Sequence, residues 1–306
     1  MLGGIALDRL NRLAAGASVG TASILIVAKL AGWLATGSVA LLASLADSCI
    51  DALASLATLF IVQRAAEPPD RAHRYGHGKA EPIGALLQAA FLTGSALIVT
   101  SEAIQRLITP EPLTYRGVGI AVMVVAILLT SVLVLFQRAV IRRTGSLAIG
   151  ADRVHYLSDL FTNLAVIGAI GISWLTDWPY ADPLFACLIV AFLLRGAASI
   201  GRRALDMLMD RELPPPERAK IHALAANHPD IRGVHDLRTR RAGSDVFIEV
   251  HLEIDGRLPL SRAHEIAHEV EDRILGAFPG ASVALHQEPA GLDDERLDAQ
   301  IAAAHR

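Results

Sequence analysis

Two pairs of ionisable residues interrupt long apolar stretches of the chain. Asp47 and Asp51 lie in ALLASLADSCIDALASLATLF, and His155 and Asp159 lie in VHYLSDLFTNLAVIGAIGISW. The four-residue spacing within each pair places both side chains on one face of a helix. A charged side chain near the middle of a membrane costs roughly 2.5 to 3.5 kcal/mol on insertion scales, so four such residues require a compensating partner. Three carboxylates and one imidazole, brought together, supply four ligands for a divalent cation.

The types of these ligands narrow the choice of cation. Carboxylate and imidazole groups in a four-coordinate shell suit Zn²⁺, with Cd²⁺, Fe²⁺, Co²⁺ and Mn²⁺ as competitors. Mg²⁺ and Ca²⁺ prefer six or more oxygen ligands, so His155 argues against them. Metal binding requires a neutral imidazole, and histidine titrates near neutral pH, so metal and protons compete for His155. The ligand chemistry therefore favours a site that exchanges metal for protons.

The elements that must position these residues are membrane spans. The chain has 306 residues, 53% of them hydrophobic, and a mean hydropathy of +0.42, which is too apolar for an ordinary soluble domain of this size. A span needs about 20 predominantly apolar residues. Six spans are predicted, over residues 13–35, 38–63, 82–107, 117–138, 147–174 and 182–201. At about 1.5 Å per residue, both ligand pairs then lie roughly 12 to 20 Å below the surface, near the midplane.

Charge orients the predicted bundle and limits its partners. Basic residues gather at the ends of spans on one side, at Arg9, Arg12, Arg64, Arg71, Arg74, Lys79, Arg138, Arg142, Arg143, Arg202 and Arg203. By the positive-inside rule both termini are cytoplasmic. Lys29 and Arg195 lie within apolar segments, and snorkelling of the charged head to the interface is the simpler interpretation of both. The net charge of -3 argues against nucleic acid as a partner.

The composition changes from about residue 206. LPPPERAKIHALAANH reads as a helix, GVHDLRTRRA and SDVFIEVHLEID as a hairpin, SRAHEIAHEVEDRILGAF as an amphipathic helix and ASVALHQE as a strand. The predicted fold class is an all-α membrane bundle of six transmembrane helices plus a small cytoplasmic α+β domain of order αββαβ. The predicted boundaries are 1–207 for the transport domain, 208–290 for the cytoplasmic domain and 291–306 for a loosely held polar tail.

Two further groups of residues could bind metal. Asp70, His73 and His77 lie in the loop EPPDRAHRYGHGKAE, where spacing alone favours solvated polar residues. The cytoplasmic domain holds a second group, His235, His251, His264, His286 and Glu288. From the residues alone, a metal cluster and a set of ordinary polar side chains are equally open interpretations of this second group.

Four parts of the chain resemble the cation diffusion facilitator family, specifically its bacterial zinc and iron efflux branch of metal/proton antiporters. They are GSVALLASLADSCIDALASL, RYGHGKAEPIGALLQA, HYLSDLFTNLAV and the group HDLRTRRAG, IEVHLEID and HQEP. The resemblance extends from about residue 8 to 290. It implies six spans and a metallochaperone-like cytoplasmic domain, assembled as a homodimer in the bacterial cytoplasmic (inner) membrane. It also implies alternating access with exchange of metal for protons.

The resemblance also implies roles for individual residues. The transport site is Asp47, Asp51, His155 and Asp159, a combination that the family associates with zinc and cadmium. Family members place a second, weaker metal site in the loop after the second span, which here is Asp70, His73 and His77.

In the cytoplasmic domain the resemblance implies a two-metal site near the dimer interface, built from the four histidines and a bridging acid. That acid is usually Asp in the family, whereas this chain has Glu288. Lys79 and Asp210 resemble a charge pair that holds the helix bundles of the dimer together at the cytoplasmic face. Zn²⁺ is then both the transported substrate and a structural or regulatory ion of the cytoplasmic domain.

Three classes of function compete. The leading hypothesis is a secondary transporter, not an enzyme, that exports Zn²⁺ (also Cd²⁺ and Fe²⁺) from the cytoplasm in exchange for protons. Its partners are then membrane lipid, divalent metal ions, protons and a second copy of the chain. An intramembrane aspartyl protease takes its two carboxylates from separate helices, whereas Asp47 and Asp51 share one. A metal sensor or passive channel is the third class, but four tight ligands hinder conduction, which requires weak binding.

Overall fold

A computed structural model of the chain describes residues 2–37, 39–108, 117–176, 181–292 and 296–304. The chain divides into two compact units. One comprises Ala6–Leu205 and the other is formed mainly by the chain from Asp206 onward. The predicted boundaries at residues 207 and 290 stay predictions.

The first unit consists of six long helices. They are α1 (Leu2–Thr36), α2 (Val39–Ala65), α3 (Ala80–Ile108), α4 (Gly117–Thr144), α5 (Leu147–Thr176) and α6 (Ala181–Leu208). Among the described residues, all of these except α5 contain a stretch long and apolar enough to cross a membrane. Helix α5 is 30 residues long and carries three charged residues, Asp152, Arg153 and Asp159, within its first half. The predicted helical membrane domain is confirmed, and the links expected at 109–117 and 176–182 fall largely outside the described residues.

Small residues allow the helices of the bundle to approach closely. A Cβ atom added to Gly196 of α6 would lie 2.8 Å from Val154 Cγ1 of α5, and one added to Gly84 of α3 would lie 2.6 Å from Ile61 Cγ2 of α2. Van der Waals packing and interhelical hydrogen bonds hold membrane helices together, and glycine at these points permits such contact. Val154 precedes His155, so this packing bears directly on the position of one predicted ligand.

The second unit is a three-stranded sheet with helices. Its elements are α7 (Pro215–Ala226), β1 (Gly233–Ala242), β2 (Asp245–Ile254), α8 (Leu260–Ala277), β3 (Ser282–Pro289) and α9 (Leu297–Ala304). The strand order is β1-β2-β3, with β1 antiparallel to β2 and β3 parallel to β2. The predicted order αββαβ is therefore confirmed for residues 215–289.

The core of this unit lies on one face of the sheet. Val250 and Leu252 of β2 pack in one cluster with Ile221 of α7 and Ile274 of α8, and all four are almost fully buried. Successive side chains of a strand point to opposite faces, so His251 lies on the face away from this core. The sheet therefore separates the packing residues from the predicted metal ligands.

The start of α9, within the segment predicted to be a loosely held tail, is hydrogen-bonded to the sheet. The carboxylate of Asp236 in β1 accepts hydrogen bonds from the backbone amides of Leu297 (2.9 Å) and Asp298 (3.0 Å). The carboxylate of Asp298 accepts a bond from the Asp236 amide in return (3.1 Å). These bonds satisfy amides at the start of α9, as a helix cap does.

Candidate metal centres

Three of the four predicted transport-site residues lie together between α2 and α5. His155 Nε2 is 3.1 Å from Asp51 Oδ1 and 3.8 Å from Asp159 Oδ2. One ligand atom from each of these residues falls within 4.8 Å of the others. Asp47, one helical turn before Asp51, does not join this group in the described chain and its side chain is exposed. The arrangement offers two carboxylates and one imidazole to a cation, with Asp47 close by on the same helix.

His155 is the buried member of this group, with 5% of its surface exposed. Its other ring nitrogen, Nδ1, is buried and has no hydrogen-bond partner among the described residues. The nitrogen that faces both carboxylates is therefore the one available to a metal. Imidazole and carboxylate ligands match the preference of zinc and similar borderline cations.

Hydroxyl groups hold α1, α2 and α5 together next to these ligands. Tyr156 is 1% exposed, and its hydroxyl lies 2.7 Å from Ser55 Oγ of α2. The same hydroxyl donates to the backbone oxygen of Ser18 on α1 at 3.0 Å. Buried polar groups in a membrane protein need such partners, and a satisfied network fixes one packing of the helices. Tyr156 was not predicted as part of the site, because nothing in its spacing distinguishes it from an ordinary core residue.

A buried carboxyl group links α1, α4 and α5 three residues before His155. Asp152 is fully buried, and its Oδ2 accepts hydrogen bonds from Ser18 Oγ (2.6 Å) and Gln137 Nε2 (2.8 Å). Its other oxygen, Oδ1, has no hydrogen-bond partner among the described residues. Asp152 was not among the predicted site residues, although its position three residues before a predicted ligand on the same helix was an available signal.

The snorkelling interpretation of Lys29 does not match its contacts, because its charged head is hydrogen-bonded to α2. Its Nζ donates to Ser48 Oγ at 2.6 Å and to the backbone oxygen of Ser44 at 3.1 Å, both on α2. Ser48 lies between Asp47 and Asp51, so the ammonium group is held beside the predicted transport site. The serine side chain in the intervening helical turn provides the acceptor that keeps the lysine inside the bundle.

The loop after α2 brings Asp70, His73 and His77 together. His73 Nδ1 lies 3.3 Å from Asp70 Oδ1, and His77 Nε2 lies 3.5 Å from Asp70 Oδ2. The two imidazole rings are 4.5 Å apart between centroids, and all three ligand atoms fall within 4.8 Å of one another. The three side chains are therefore grouped, whereas spacing alone favoured solvated polar residues, and Asp70 and His73 are exposed.

Backbone geometry keeps the carboxylate of this loop charged. The amide of His73 donates to Asp70 Oδ1 at 2.6 Å, and the amide of Ala72 donates to the same oxygen at 2.8 Å. These hydrogen bonds, the one from His73 first, hold the pKa of Asp70 below its usual value. Asp70 is therefore available as an anionic ligand, and the largely buried side chain of His77 limits where a cation can bind.

Three histidines form one row across the sheet of the second unit. His235 of β1 is the register partner of His251 of β2, which in turn pairs with His286 of β3. Ring centroids are 5.3 Å apart for the first pair and 4.7 Å apart for the second. The row arises because the two strand pairings bring residues far apart in the chain to the same level.

Glu288 lies two residues beyond His286 on the same face and contacts all three histidines of this row. Its Oε2 is 3.1 Å from His235 Nε2, whereas its Oε1 is 2.7 Å from His251 Nδ1 and 3.4 Å from His286 Nε2. Different oxygens of one buried carboxylate thus face different histidines. This geometry is suited to an acid that bridges two metal ions.

His264, the remaining histidine of the predicted cluster, does not reach Glu288 in the described chain. It lies exposed on α8, with its ring stacked 6.3 Å from that of His268. Asp236 was missed by the sequence analysis but lies with His235 and His251 in a group that could hold a metal ion. Its backbone has a φ of 49° at a register shift in β1, which the sequence did not indicate.

Asp236 is already engaged by the C-terminal helix. Partial desolvation raises the pKa of Asp236, but the amides of Asp298 and Leu297 outweigh it and hold the pKa below its usual value. The Asp236 carboxylate is therefore ionised. It is hydrogen-bonded to α9 and also lies beside His235 and His251.

The predicted charge pair of Lys79 and Asp210 joins residues of different units and stays a prediction. Within the second unit, Asp210 Oδ1 lies 3.5 Å from Arg240 Nη1. Asp210 also has a φ of 55°, a conformation that aspartate tolerates better than most residues.

A bundle of membrane helices with grouped carboxylate and imidazole side chains, joined to a small domain with a histidine row, is typical of a membrane protein that binds metal ions. Family models agree: residues 16–209 match the cation efflux transmembrane domain, and residues 213–290 match the cytoplasmic domain of cation efflux proteins. The chain belongs to the cation efflux family, which confirms the resemblance found in the sequence. It is a multi-pass membrane transporter rather than an enzyme, so the protease alternative is excluded.

Curated relatives match almost the whole chain. It is 46% identical over 284 residues to the cation-efflux pump FieF of Klebsiella pneumoniae subsp. pneumoniae, covering 93% of this chain and 94% of that protein. It is 45% identical over the same length to FieF of Escherichia coli strain K12 / DH10B, with the same coverage. The metal-bound C-terminal domain of the CzcD transporter from Thermotoga maritima is 29% identical, covers 26% of this chain and 93% of that domain, and has a TM-score of 0.25.

Proposed function

We propose that this protein exports divalent metal ions, with Zn²⁺ as its main substrate, from the cytoplasm in exchange for protons by alternating access. The observation that carries the proposal is His155 Nε2 lying 3.1 Å from Asp51 Oδ1 and 3.8 Å from Asp159 Oδ2. Two carboxylates and one imidazole, from two spans, fit zinc better than the oxygen-only shells of Mg²⁺ or Ca²⁺. Cd²⁺ and Fe²⁺ share these ligand preferences and are further substrates.

The ligand chemistry supplies the coupling to protons. A metal ion binds the neutral form of His155 and the charged forms of Asp51 and Asp159, so its arrival displaces protons. When the site faces a side with more protons, the protons compete with the metal for the same atoms and promote its release. A transporter that exposes this site alternately to each side therefore exchanges one ion for the other. Asp47 lies one turn before Asp51 and serves as the fourth ligand when the helices rearrange.

The remaining candidate sites have supporting roles. Asp70, His73 and His77 form a second, weaker metal site on the cytoplasmic loop. His235, His251 and His286 form a regulatory or structural two-metal site with Glu288 as the bridging acid, which His264 joins in the assembled protein. The family match to the cytoplasmic domain supports a homodimer. The dimer lies in the bacterial inner membrane with both termini cytoplasmic, an orientation favoured by the distribution of basic residues, and Lys79 and Asp210 form its charge interlock.

Transport into sealed vesicles tests the proposal. Full-length protein is reconstituted in proteoliposomes, and Zn²⁺ uptake is followed with and without an imposed pH gradient. We expect uptake to accelerate when protons are more concentrated on the side that receives the metal, and to vanish with Asp51→Ala. Asp206→Ala is a matched control, since Asp206 pairs with Arg211 outside the bundle. Zinc uptake that ignores the pH gradient, or that survives Asp51→Ala, contradicts the proposal.

A further inference from the structure

Lys29 of α1 is held against the turn of α2 that carries two candidate ligands. Its Nζ donates to Ser48 Oγ at 2.6 Å and to the backbone oxygen of Ser44 at 3.1 Å. Ser48 is 2% exposed and lies on α2 between Asp47 and Asp51. Two acceptors on one helical turn therefore fix the position of the ammonium group within the bundle.

The charge of this ammonium group acts on the candidate transport site. Lys29 interacts electrostatically with Asp51, Asp159 and Asp47, which are the three carboxylates of that site. An ammonium group has three donors and no lone pair, so Lys29 cannot itself be a metal ligand. A lysine in a span usually extends its charged head to water, whereas this one is retained inside by α2. A positive charge beside a cation site needs an explanation other than ligation.

We propose that Lys29 is a positioning residue that fixes the charge of the transport site, so that the site becomes electrically neutral when it holds one divalent cation. Three carboxylates carry three negative charges, and Lys29 balances one of them. Two negative charges then remain for the dication, with His155 neutral. A net charge within a membrane is costly, so a neutral loaded site changes its accessible side at the lowest cost. This inference rests on the proposed transport function.

The same charge also limits how tightly the site binds. Lys29 repels a divalent cation at its neighbouring ligands, and within a protein such repulsion is several times stronger than in water. A transport site must release its ion, so binding has to stay weak enough for turnover. Loss of the lysine charge is therefore expected to tighten binding and to slow transport together, a combination that simple disruption of the site does not produce.

The test uses the full-length protein in proteoliposomes, with Zn²⁺ as the probe, at a pH above the ordinary imidazole pKa. The variants are Lys29→Met, Lys29→Gln and Lys29→Arg. Glutamine keeps a donor for Ser48 but has no charge, and arginine keeps the charge. We expect the half-saturating Zn²⁺ concentration to fall by about tenfold or more for Lys29→Met and Lys29→Gln, with a lower maximal rate. Lys29→Arg should stay near the unmodified protein.

A matched control separates the effect of removing the Lys29 charge from the effect of removing a positive charge elsewhere on a spanning helix. Arg195→Met removes an exposed positive charge from α6, another spanning helix, and should leave both quantities unchanged. An unchanged half-saturating concentration and rate for Lys29→Gln overturns the proposal, and so does a matching effect of Arg195→Met. If Lys29→Met fails to fold, Lys29→Gln and Lys29→Arg still decide the question.

The Asp51→Ala variant, measured in parallel, separates a failure of the proposed transport function from a failure of the proposed role of Lys29. Zinc uptake that survives Asp51→Ala overturns the proposed transport function itself. Loss of uptake with Asp51→Ala, together with an unaltered Lys29→Gln variant, overturns only the role of Lys29.

Discussion

The hydroxyl of Tyr156 lies 2.7 Å from Ser55 Oγ and joins α5 to α2 beside the candidate transport site. Because the Tyr156 hydroxyl donates its proton to the backbone oxygen of Ser18, the Ser55 hydroxyl must be the donor to Tyr156. Tyr156 directly follows His155, and Ser55 lies four residues after Asp51. This relationship ties three helices together within one turn of the atoms that would bind the metal.

Tyr156→Phe is expected to lower the stability of the bundle and the zinc affinity of the transport site. Interhelical hydrogen bonds in membranes contribute about 0.6 kcal/mol on average, so the loss of two predicts a cost of about 1 kcal/mol. Thermal unfolding in detergent and Zn²⁺ titration measure the two effects. Ser55→Ala removes only one of the bonds, and a double-mutant cycle should give a coupling energy between the two residues. Additive effects would contradict a direct Tyr156–Ser55 interaction.

Asp152→Ala is expected to destabilise the contact of α1 with α4 and α5. It removes the carboxylate that accepts from both the buried Ser18 hydroxyl and the Gln137 amide, at a cost of about 1 to 3 kcal/mol, and leaves these donors only the Ala14 backbone oxygen and Ser18 Oγ respectively among the described residues. The measurement is the unfolding temperature of the full-length protein. Ser23→Ala is the matched control, because the exposed Ser23 hydroxyl bonds only to its own helix at Val19. Equal effects of the two changes would show that the buried network adds nothing.

The elements of the fold were accessible to sequence analysis because their signals are local. Long apolar runs predict spans, and alternation in β2 predicts a strand with one buried face. The pairs Asp47 with Asp51 and His155 with Asp159 were visible because charge in an apolar run is rare and their spacing fits a helix face. The histidine row depends on strand register, which local patterns do not fix.

The supporting contacts were not accessible for a different physical reason. Tyr156, Ser55 and Ser18 are polar groups that are compatible with many environments, and only the packing of three helices reveals that they meet. Asp236 acquires its role from a backbone φ of 49° and from residues about 60 positions later in the chain. Lys29 looked like a snorkelling residue, because its acceptors Ser44 and Ser48 lie on a different helix.

Asp236→Ala is expected to release α9 from the sheet. The substitution removes both acceptors for the amides of Leu297 and Asp298, and a lost helix cap costs about 1 kcal/mol. Hydrogen–deuterium exchange in the full-length protein should show faster exchange at these two amides. Asp255→Ala is the control, since the Asp255 carboxylate accepts from the Arg257 amide in the turn before α8. Unchanged exchange at Leu297 and Asp298 would mean that α9 is held by other contacts.

The pairing of Glu269 with His228 predicts a dependence on acidic pH. The hydrogen bond from His228, at 2.9 Å, is the main cause that lowers the pKa of Glu269 in the folded protein. A carboxyl with a lowered folded-state pKa stabilises the fold above its unfolded pKa, about 4.3 for glutamate, and this stabilisation is lost as the pH falls below that value.

Glu269→Gln should therefore be less stable than the unmodified protein at neutral pH, and the difference should shrink as the pH falls through this range. Protection of the α7 and α8 amides from hydrogen exchange, measured in the full-length protein, reports this difference in stability. Glu265→Gln is the matched control, because Glu265 on α8 pairs with Arg262 and not with His228. A stability difference that does not change with pH would contradict the assigned hydrogen bond between Glu269 and His228.

The most direct test of the central claim is the number of protons released when Zn²⁺ binds the transport site. Calorimetric titration in buffers of different ionisation enthalpy gives this number for the full-length protein, in a background of His73→Ala and Glu288→Ala that removes the other candidate sites. The account predicts that Zn²⁺ binding releases protons and that Asp51→Ala or His155→Ala abolishes the tight binding. Tight zinc binding that persists in both variants, or that releases no protons, would contradict it.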